Sequence, residues 1–178
     1  MEQHNLNINK MEKNKSNRKT LLLTIILLII ANLSNAQISK IELRATGLTC
    51  SMCSNAIFKQ LESISGVDSV ETDLNTNTFI VFLKKDSKLN PKTFKEKVEK
   101  AGFFIGVFIF TATPEILDSS IYILLNDKPK KQIEMKFQVL DKGYVTEKEF
   151  KKLSKTYKDV ATYSTNNEND FHIKILNQ

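Results

Sequence analysis

Apolar and polar residues alternate between positions 40 and 46, and this period of two predicts a β-strand with one buried face. From Ser51 the apolar positions recur at helical spacing instead, and Gly66 provides a stop for this helix. Residues 47–50 form the loop between the two elements. The sequence therefore predicts a strand, a short loop and a helix as the first elements after residue 39.

Two further strands, 67–74 and 78–83, follow as a hairpin. A second helix begins at Pro91, with Asn90 as its N-cap, and a strongly apolar strand at 103–110 completes the series. The order strand, helix, strand, strand, helix, strand is that of the split β-α-β, or ferredoxin-like, arrangement. We expect two helices to cover one face of an antiparallel sheet.

After these six elements the pattern predicts a smaller C-terminal α+β unit over residues 113–178. Its helix starts at the capping box 146–149. Its strands are predicted at 120–125, 133–140 and 171–175, with 160–163 as a further candidate strand. The fold class is therefore α+β, with a ferredoxin-like βαββαβ domain at 37–112 followed by this extension of unassigned role.

The strand at 103–110 is apolar on both of its faces. Ile80 and Phe82 likewise add apolar side chains to the outer face of the hairpin. A strand that is buried on one side only should alternate. We therefore expect the C-terminal unit to pack against part of the first sheet.

The first 36 residues have the three parts of a secretory signal. Residues 1–19 are polar and basic, 21–31 are almost all apolar, and Ser34 and Ala36 have the small side chains that a signal peptidase requires. The apolar run is shorter than the roughly 20 residues of a membrane-spanning helix. We expect cleavage after Ala36, export to the periplasm or the extracellular space, and a mature chain that does not span a membrane.

The net charge of the mature chain is close to balanced. The chain has 26 basic and 20 acidic side chains, of which five and two lie in residues 1–36, so the mature chain keeps 21 and 18. A nucleic-acid-binding protein should instead concentrate basic residues on one face. We therefore expect no nucleic-acid partner.

The two cysteines, Cys50 and Cys53, lie three positions apart where the predicted loop meets the first helix. Thiolates are the metal-binding form of cysteine, and the positive end of a helix dipole favours them. Two soft sulfur ligands suit Cu(I), with Zn(II) and heavier soft metals such as Hg(II) as alternatives. They cannot fill the four-ligand shell of structural zinc. His172 is the one further ligand of histidine type in the mature chain, although a lone His is more often an ordinary strand residue.

The segment 47–53, Gly-Leu-Thr-Cys-Ser-Met-Cys, resembles the Gly-Met-Thr-Cys-x-x-Cys motif of the heavy-metal-associated domain family. Segment 66–70 matches the family's Gly-Val-x-x-Val, and 101–103 matches the Ala-Gly pair that follows its second helix. This family includes copper chaperones, N-terminal modules of metal-transporting P-type ATPases and exported mercury-binding proteins. The resemblance, over residues 38–107, implies a metal ion as cargo and a metal-transporting membrane ATPase or efflux protein as partner.

Three positions in or near the motif need separate interpretation. Leu48 replaces the family's usual Met, a volume-conserving change that should cost under about 1.5 kcal/mol. Phe103 stands where copper chaperones often have Tyr or Lys, and it can shield the site but can neither hydrogen-bond nor supply positive charge. Met52 could offer a thioether to Cu(I), but we interpret it as an exposed, variable position.

Two other functions use the same cysteines. A Cys-x-x-Cys pair at a helix N-terminus is also the arrangement of thiol–disulfide oxidoreductases. Against that function, Pro91 follows Asn90 at a helix start rather than a redox site, the chain has no Trp, and the hairpin order differs. A purely structural disulfide would close only a small loop and add little stability. We expect a non-enzymatic metal carrier or sequestration protein with no catalytic residues.

Overall fold

The computed structural model describes residues 37–48, 51–127, 132–165 and 167–176. The predicted signal segment, 1–36, lies outside these residues, as does Cys50. The described strands are β1 (Ile38–Thr46), β2 (Val67–Asp73), β3 (Thr78–Leu83), β4 (Phe104–Ala112), β5 (Tyr122–Leu124), β6 (Met135–Val139) and β7 (Phe171–Leu176). The helices are α1 (Ser51–Glu62), α2 (Pro91–Lys100), α3 (Glu147–Thr156) and α4 (Ala161–Thr165), with a 3₁₀ turn at Pro114–Asp118. In this part of the chain, no helix combines the length and the apolarity that crossing a membrane requires.

The first four strands lie in the order β2-β3-β1-β4, and each neighbouring pair is antiparallel. This order confirms the predicted ferredoxin-like arrangement and the α+β class. Strand β1 is central, and its buried positions alternate with half-buried and exposed ones. The predicted metal loop therefore leaves the sheet from one of its most firmly held strands.

Both helices of the ferredoxin-like domain at 37–112, which we call the first unit, cover the same face of the sheet, as predicted. The Asn90 side chain accepts a hydrogen bond from the Thr93 backbone N–H at 3.4 Å, and Pro91 occupies the first helical position of α2. The core between helices and sheet consists of fully buried apolar side chains, among them Ile41, Leu43, Ile57, Leu61, Phe79, Val81, Phe94 and Val98. Helix α1, which carries Cys53, is anchored through this core.

The C-terminal extension continues the same sheet rather than forming a separate one. Strand β6 pairs antiparallel with the edge of β4, β7 pairs with β6, and β5 pairs parallel with β7, so the sheet has seven strands. At the junction Phe110 lies opposite Phe137, and their rings stack with centroids 5.2 Å apart. The extension therefore meets the first unit mainly through the edge of β4.

The prediction of a strand at 160–163 is wrong, because Ala161–Thr165 is the short helix α4. Tyr163 holds this helix in place. It is buried, and its hydroxyl donates to the Leu140 carbonyl at 2.7 Å. An aromatic residue between polar neighbours satisfies a strand pattern locally, but here one long-range hydrogen bond and a small apolar cluster with Leu140 and Val145 decide the structure.

Gly106 is required where β4 passes the end of β1. A Cβ atom at this position would lie 2.5 Å from the Thr46 Cγ2 methyl, beside an irregularity in the β1–β4 register. We expect Gly106→Ala to lower the free energy of unfolding by about 1–3 kcal/mol, because the strands would have to separate. Urea unfolding measures this change. In a Thr46→Ala background, which removes the methyl, the same substitution should be nearly neutral, and an equal cost in both backgrounds would contradict the contact.

Candidate metal centre

The predicted metal loop connects the end of β1 to the start of α1. The Thr46 hydroxyl donates to the Phe104 carbonyl at 3.3 Å and ties the end of β1 to β4. Gly47 then turns the chain with a φ of +83°, a left-handed conformation that favours glycine. A rigid strand end followed by a sharp turn fixes the direction in which the loop enters α1.

Cys53 lies in the first turn of α1 and is half-buried. That turn contains no acidic residue, so no carboxylate there competes with a thiolate for the positive end of the helix dipole. Ser54, the next residue, is buried, whereas Met52 is 81% exposed. The thiol of Cys53 therefore sits at the border between core and solvent, where an ion can be both held and handed on.

Cys50, the other predicted ligand, is outside the described residues, and its role stays a prediction. The neighbouring positions are described. Leu48 and Phe103 are half-buried and pack on the main core, and the exposure of Met52 agrees with its interpretation as a surface position. The replacement of the family's Met by Leu48 is thus accommodated by apolar packing.

His172 is held by its neighbours and is not a metal ligand. The side chain is 2% exposed. Its Nδ1 lies 2.7 Å from Asp141 Oδ1, and its Nε2 lies 2.9 Å from Thr162 Oγ1. A carboxylate only accepts, so Nδ1 donates to it, and both ring nitrogens are occupied. Over the described ranges, no three residues of the His, Cys, Asp and Glu types converge as a metal site.

The sequence did not reveal the partners of His172. Asp141 also accepts the His172 backbone N–H through Oδ2 at 2.7 Å, so one carboxylate holds both the ring and the strand. Thr162 links the same ring to α4. The lone histidine in an apolar strand was the one sequence signal that such partners exist, since a buried imidazole needs polar partners. Their identities depend on the way β6 and β7 pair.

We expect His172→Ala to lower the free energy of unfolding by about 2–4 kcal/mol, because it leaves Asp141 without its buried partner and opens a cavity. Metal uptake should not change. Urea unfolding and a Cu(I) titration on the same sample test both statements. Thr162→Ala is the matched control, since it removes one hydrogen bond at an exposed residue and should cost under about 1.5 kcal/mol. A loss of Cu(I) uptake in His172→Ala would make this histidine a ligand.

The family model of the heavy-metal-associated domain matches residues 42–104. This range contains the second part of β1, from Glu42, the loop with both cysteines, and α1. The chain belongs to the heavy-metal-associated domain family. The family domain thus covers the predicted metal loop and ends at Phe104, so residues 105–178 lie beyond the matched range.

Several solved structures resemble part of the chain. The yeast copper transporter domain Ccc2a, studied in apo and Cu(I)-loaded states, is 34% identical over 36% of this chain and 88% of that chain, with a TM-score of 0.34. The N-terminal domain of a potential copper-translocating P-type ATPase from Bacillus subtilis, in the Cu(I)-loaded state, is 30% identical over 38% and 82%, with a TM-score of 0.34. Oxidized MerP from Ralstonia metallidurans CH34 is 24% identical over 38% and 92%, with a TM-score of 0.35. No curated protein matches the chain.

Proposed function

We propose that this protein binds one soft metal ion, Cu(I) in the first instance, through Cys50 and Cys53, and carries or sequesters it outside the cytoplasm. The observation that supports this most directly is the position of Cys53 in the first turn of α1 of a heavy-metal-associated domain. Its thiolate meets the positive end of the helix, and Cys50 is the only other cysteine in the sequence. Zn(II) and Hg(II) are the alternative ions.

Transfer would proceed by ligand exchange. An incoming thiolate of a partner replaces one of the two cysteines, and then the other, so that the ion always keeps sulfur ligands. No bond of an organic substrate breaks, and the protein is therefore not an enzyme in this proposal. The half-buried Cys53 and the exposed Met52 beside it leave room for such a partner, which we propose to be a metal-transporting membrane ATPase or an efflux protein.

Export is part of the proposal. Residues 1–36 would be a signal peptide cleaved after Ala36, 37–112 the metal-binding domain, and 113–178 an extension that completes the sheet. Exported compartments favour disulfides, and an oxidised Cys50–Cys53 pair could not bind metal. A bound ion protects both thiolates, so we expect the protein to function in the loaded state or beside a reducing partner.

A Cu(I) titration of the fully reduced protein against a chromophoric chelator tests the proposal. We expect the protein to withdraw one equivalent of Cu(I) from the chelator, because two thiolates at a helix N-terminus bind a soft ion tightly. Parallel titrations with Zn(II) and Hg(II) establish the preference among ions. A protein that takes no Cu(I) from the chelator would rule out the copper proposal.

The second candidate function is a thiol–disulfide oxidoreductase, which the first-turn position of Cys53 also suits. The reduction potential separates the two functions. A redox-active disulfide should lie above about −270 mV, whereas a potential below about −300 mV would indicate a pair that does not exchange electrons readily. Pro91 is the first residue of α2, and Asn90 caps the N-terminus of that helix. This position does not favour a redox role for the proline.

A further inference from the structure

A cleft of about 500 Å³ lies between α2 and the loops that flank α3 and precede β7. We call it the Tyr144 cleft. It brings together residues of the family domain and of the extension. Its lining consists of nine charged residues, the three aromatic residues Phe104, Tyr144 and Phe171, and two others.

The charge of this cleft is opposite to that of the whole chain. Six carboxylates and three lysines line it, giving −3, whereas the chain as a whole carries +6. Two of the lysines are already paired, Lys92 with Glu168 at 3.5 Å and Lys95 with Glu99 at 3.3 Å. Asp141 and Asp170 also accept hydrogen bonds, from His172 and Asn167, but these bonds do not remove the carboxylate charges. The lining therefore keeps a negative field in a partly enclosed space, where charge interactions are stronger than in open water.

Tyr144 is the buried polar group of the cleft. Only 5% of it is exposed, and its ring packs edge-on against Phe108 and Phe171 at centroid distances of 5.4 and 5.9 Å. Among the described residues its hydroxyl has no hydrogen-bond partner, but the hydroxyl is not fully closed off from solvent. Burial first, and then the nearby negative charges with Asp141 foremost, raise the pKa of Tyr144, so the hydroxyl stays neutral and can accept a hydrogen bond.

We propose that the Tyr144 cleft binds an arginine or lysine side chain of a partner polypeptide. The exposed ring of Phe104 suits the apolar stem of such a side chain, and the carboxylates suit its charged end. The Tyr144 hydroxyl accepts one of its N–H groups. An anion would meet the negative field, and a wholly apolar group would leave the hydroxyl unsatisfied.

The position of the cleft connects it with metal transfer. Phe104 lines the cleft, is 67% exposed, and lies opposite Thr46, the last residue of β1 before the metal loop. A polypeptide that exchanges metal with Cys53 would therefore pass close to the cleft. This assignment of the partner rests on the proposed function, whereas cation binding by the cleft does not.

The test is an NMR titration of the reduced full chain with the peptide acetyl-Gly-Arg-Gly-amide, and with the same peptide carrying norleucine in place of arginine. We expect the Arg peptide alone to shift the amide signals of Gly143 and Tyr144. Tyr144→Phe keeps the ring and removes the hydroxyl, and should weaken binding about tenfold. Glu96→Gln removes an exposed charge and should weaken binding about threefold.

Glu71→Gln is the matched control, because Glu71 lies on β2 at the opposite edge of the sheet and should not affect binding. Equal binding of the two peptides, or equal weakening by Glu71→Gln and Glu96→Gln, would overturn the proposal. The Cys50→Ser, Cys53→Ser double variant should bind the Arg peptide normally. If the wild-type protein takes up Cu(I) but does not bind the Arg peptide, only the cleft proposal is overturned. If it binds the Arg peptide but takes up no Cu(I), only the metal proposal is overturned.

Discussion

Replacing either Cys50 or Cys53 by Ser should abolish Cu(I) uptake by the reduced protein. A two-ligand site that loses one thiolate keeps a single bond to the ion. Zinc-finger peptides gain on the order of 10–16 kcal/mol from four ligands, or about 3 kcal/mol for each. The loss of one thiolate should therefore lower affinity by at least about a hundredfold. Competition against a chromophoric Cu(I) chelator measures it directly.

Met52→Leu is the control for this experiment. Met52 lies between the two cysteines and carries the one other sulfur of the loop, but it is 81% exposed. Leucine conserves its volume and removes the thioether. We expect Met52→Leu to bind Cu(I) like the wild type. Full uptake by either single Cys variant would show that the ion is bound elsewhere, and a large loss in Met52→Leu would add the thioether to the site.

Local signals in the sequence were sufficient for the ferredoxin-like unit and for the start of α3 in the extension. Asn90 and Pro91 mark the start of α2 by chemistry that acts within three residues, and the first-turn cap at Thr146 does the same for α3. The change from strand to helical period at Ser51 placed Cys53 in the first turn of α1, where the structure has it. Each of these features depends only on residues that are close in the sequence, so a single sequence is enough to predict it.

The features that were not predictable depend on distant partners. The parallel pairing of β5 with β7 joins residues about fifty positions apart, and the Asp141–His172 contact depends on the pairing of β6 with β7. Tyr163 lies in a helix because its hydroxyl reaches Leu140. The Tyr144 cleft combines residues from α2, β4 and the extension. No periodicity within one segment encodes any of these contacts.

Apolar residues on both faces of 103–110 did indicate that β4 has a further partner, although the partner comes mainly through its edge. The ladder with β6 covers Ile109–Ala112. An uncovered strand edge with apolar side chains is a template for aggregation. The extension thus supplies the first unit with a neighbour that it needs, as well as one wall of the Tyr144 cleft.

A chain that ends at Thr113 should therefore fail to fold stably. Truncation removes the Phe137 and Tyr122 rings from Phe110 and the Tyr144 ring from Phe108, whereas Phe108 and Phe110 are fully buried in the full protein. Loss of one such aromatic side chain costs about 3–5 kcal/mol. Domains are stable by only about 5–15 kcal/mol in total. Circular dichroism and size-exclusion chromatography of the truncated chain test this expectation.

Point substitutions in the full chain separate lost packing from the general effect of shortening. Phe137→Ala should lower the free energy of unfolding by about 3–5 kcal/mol, because its ring stacks on Phe110 at the junction. Ile133→Ala, in the same segment but 90% exposed, should change it by under about 0.5 kcal/mol. The expectation is contradicted if the truncated chain stays soluble and unfolds at the urea midpoint of the full protein. It is also contradicted if Phe137→Ala changes the free energy of unfolding no more than Ile133→Ala does. Cu(I) uptake separates folding from metal ligation. If the truncated chain takes up less Cu(I), while Phe137→Ala takes up the normal amount below its unfolding midpoint, the extension contributes to folding and not to metal ligation.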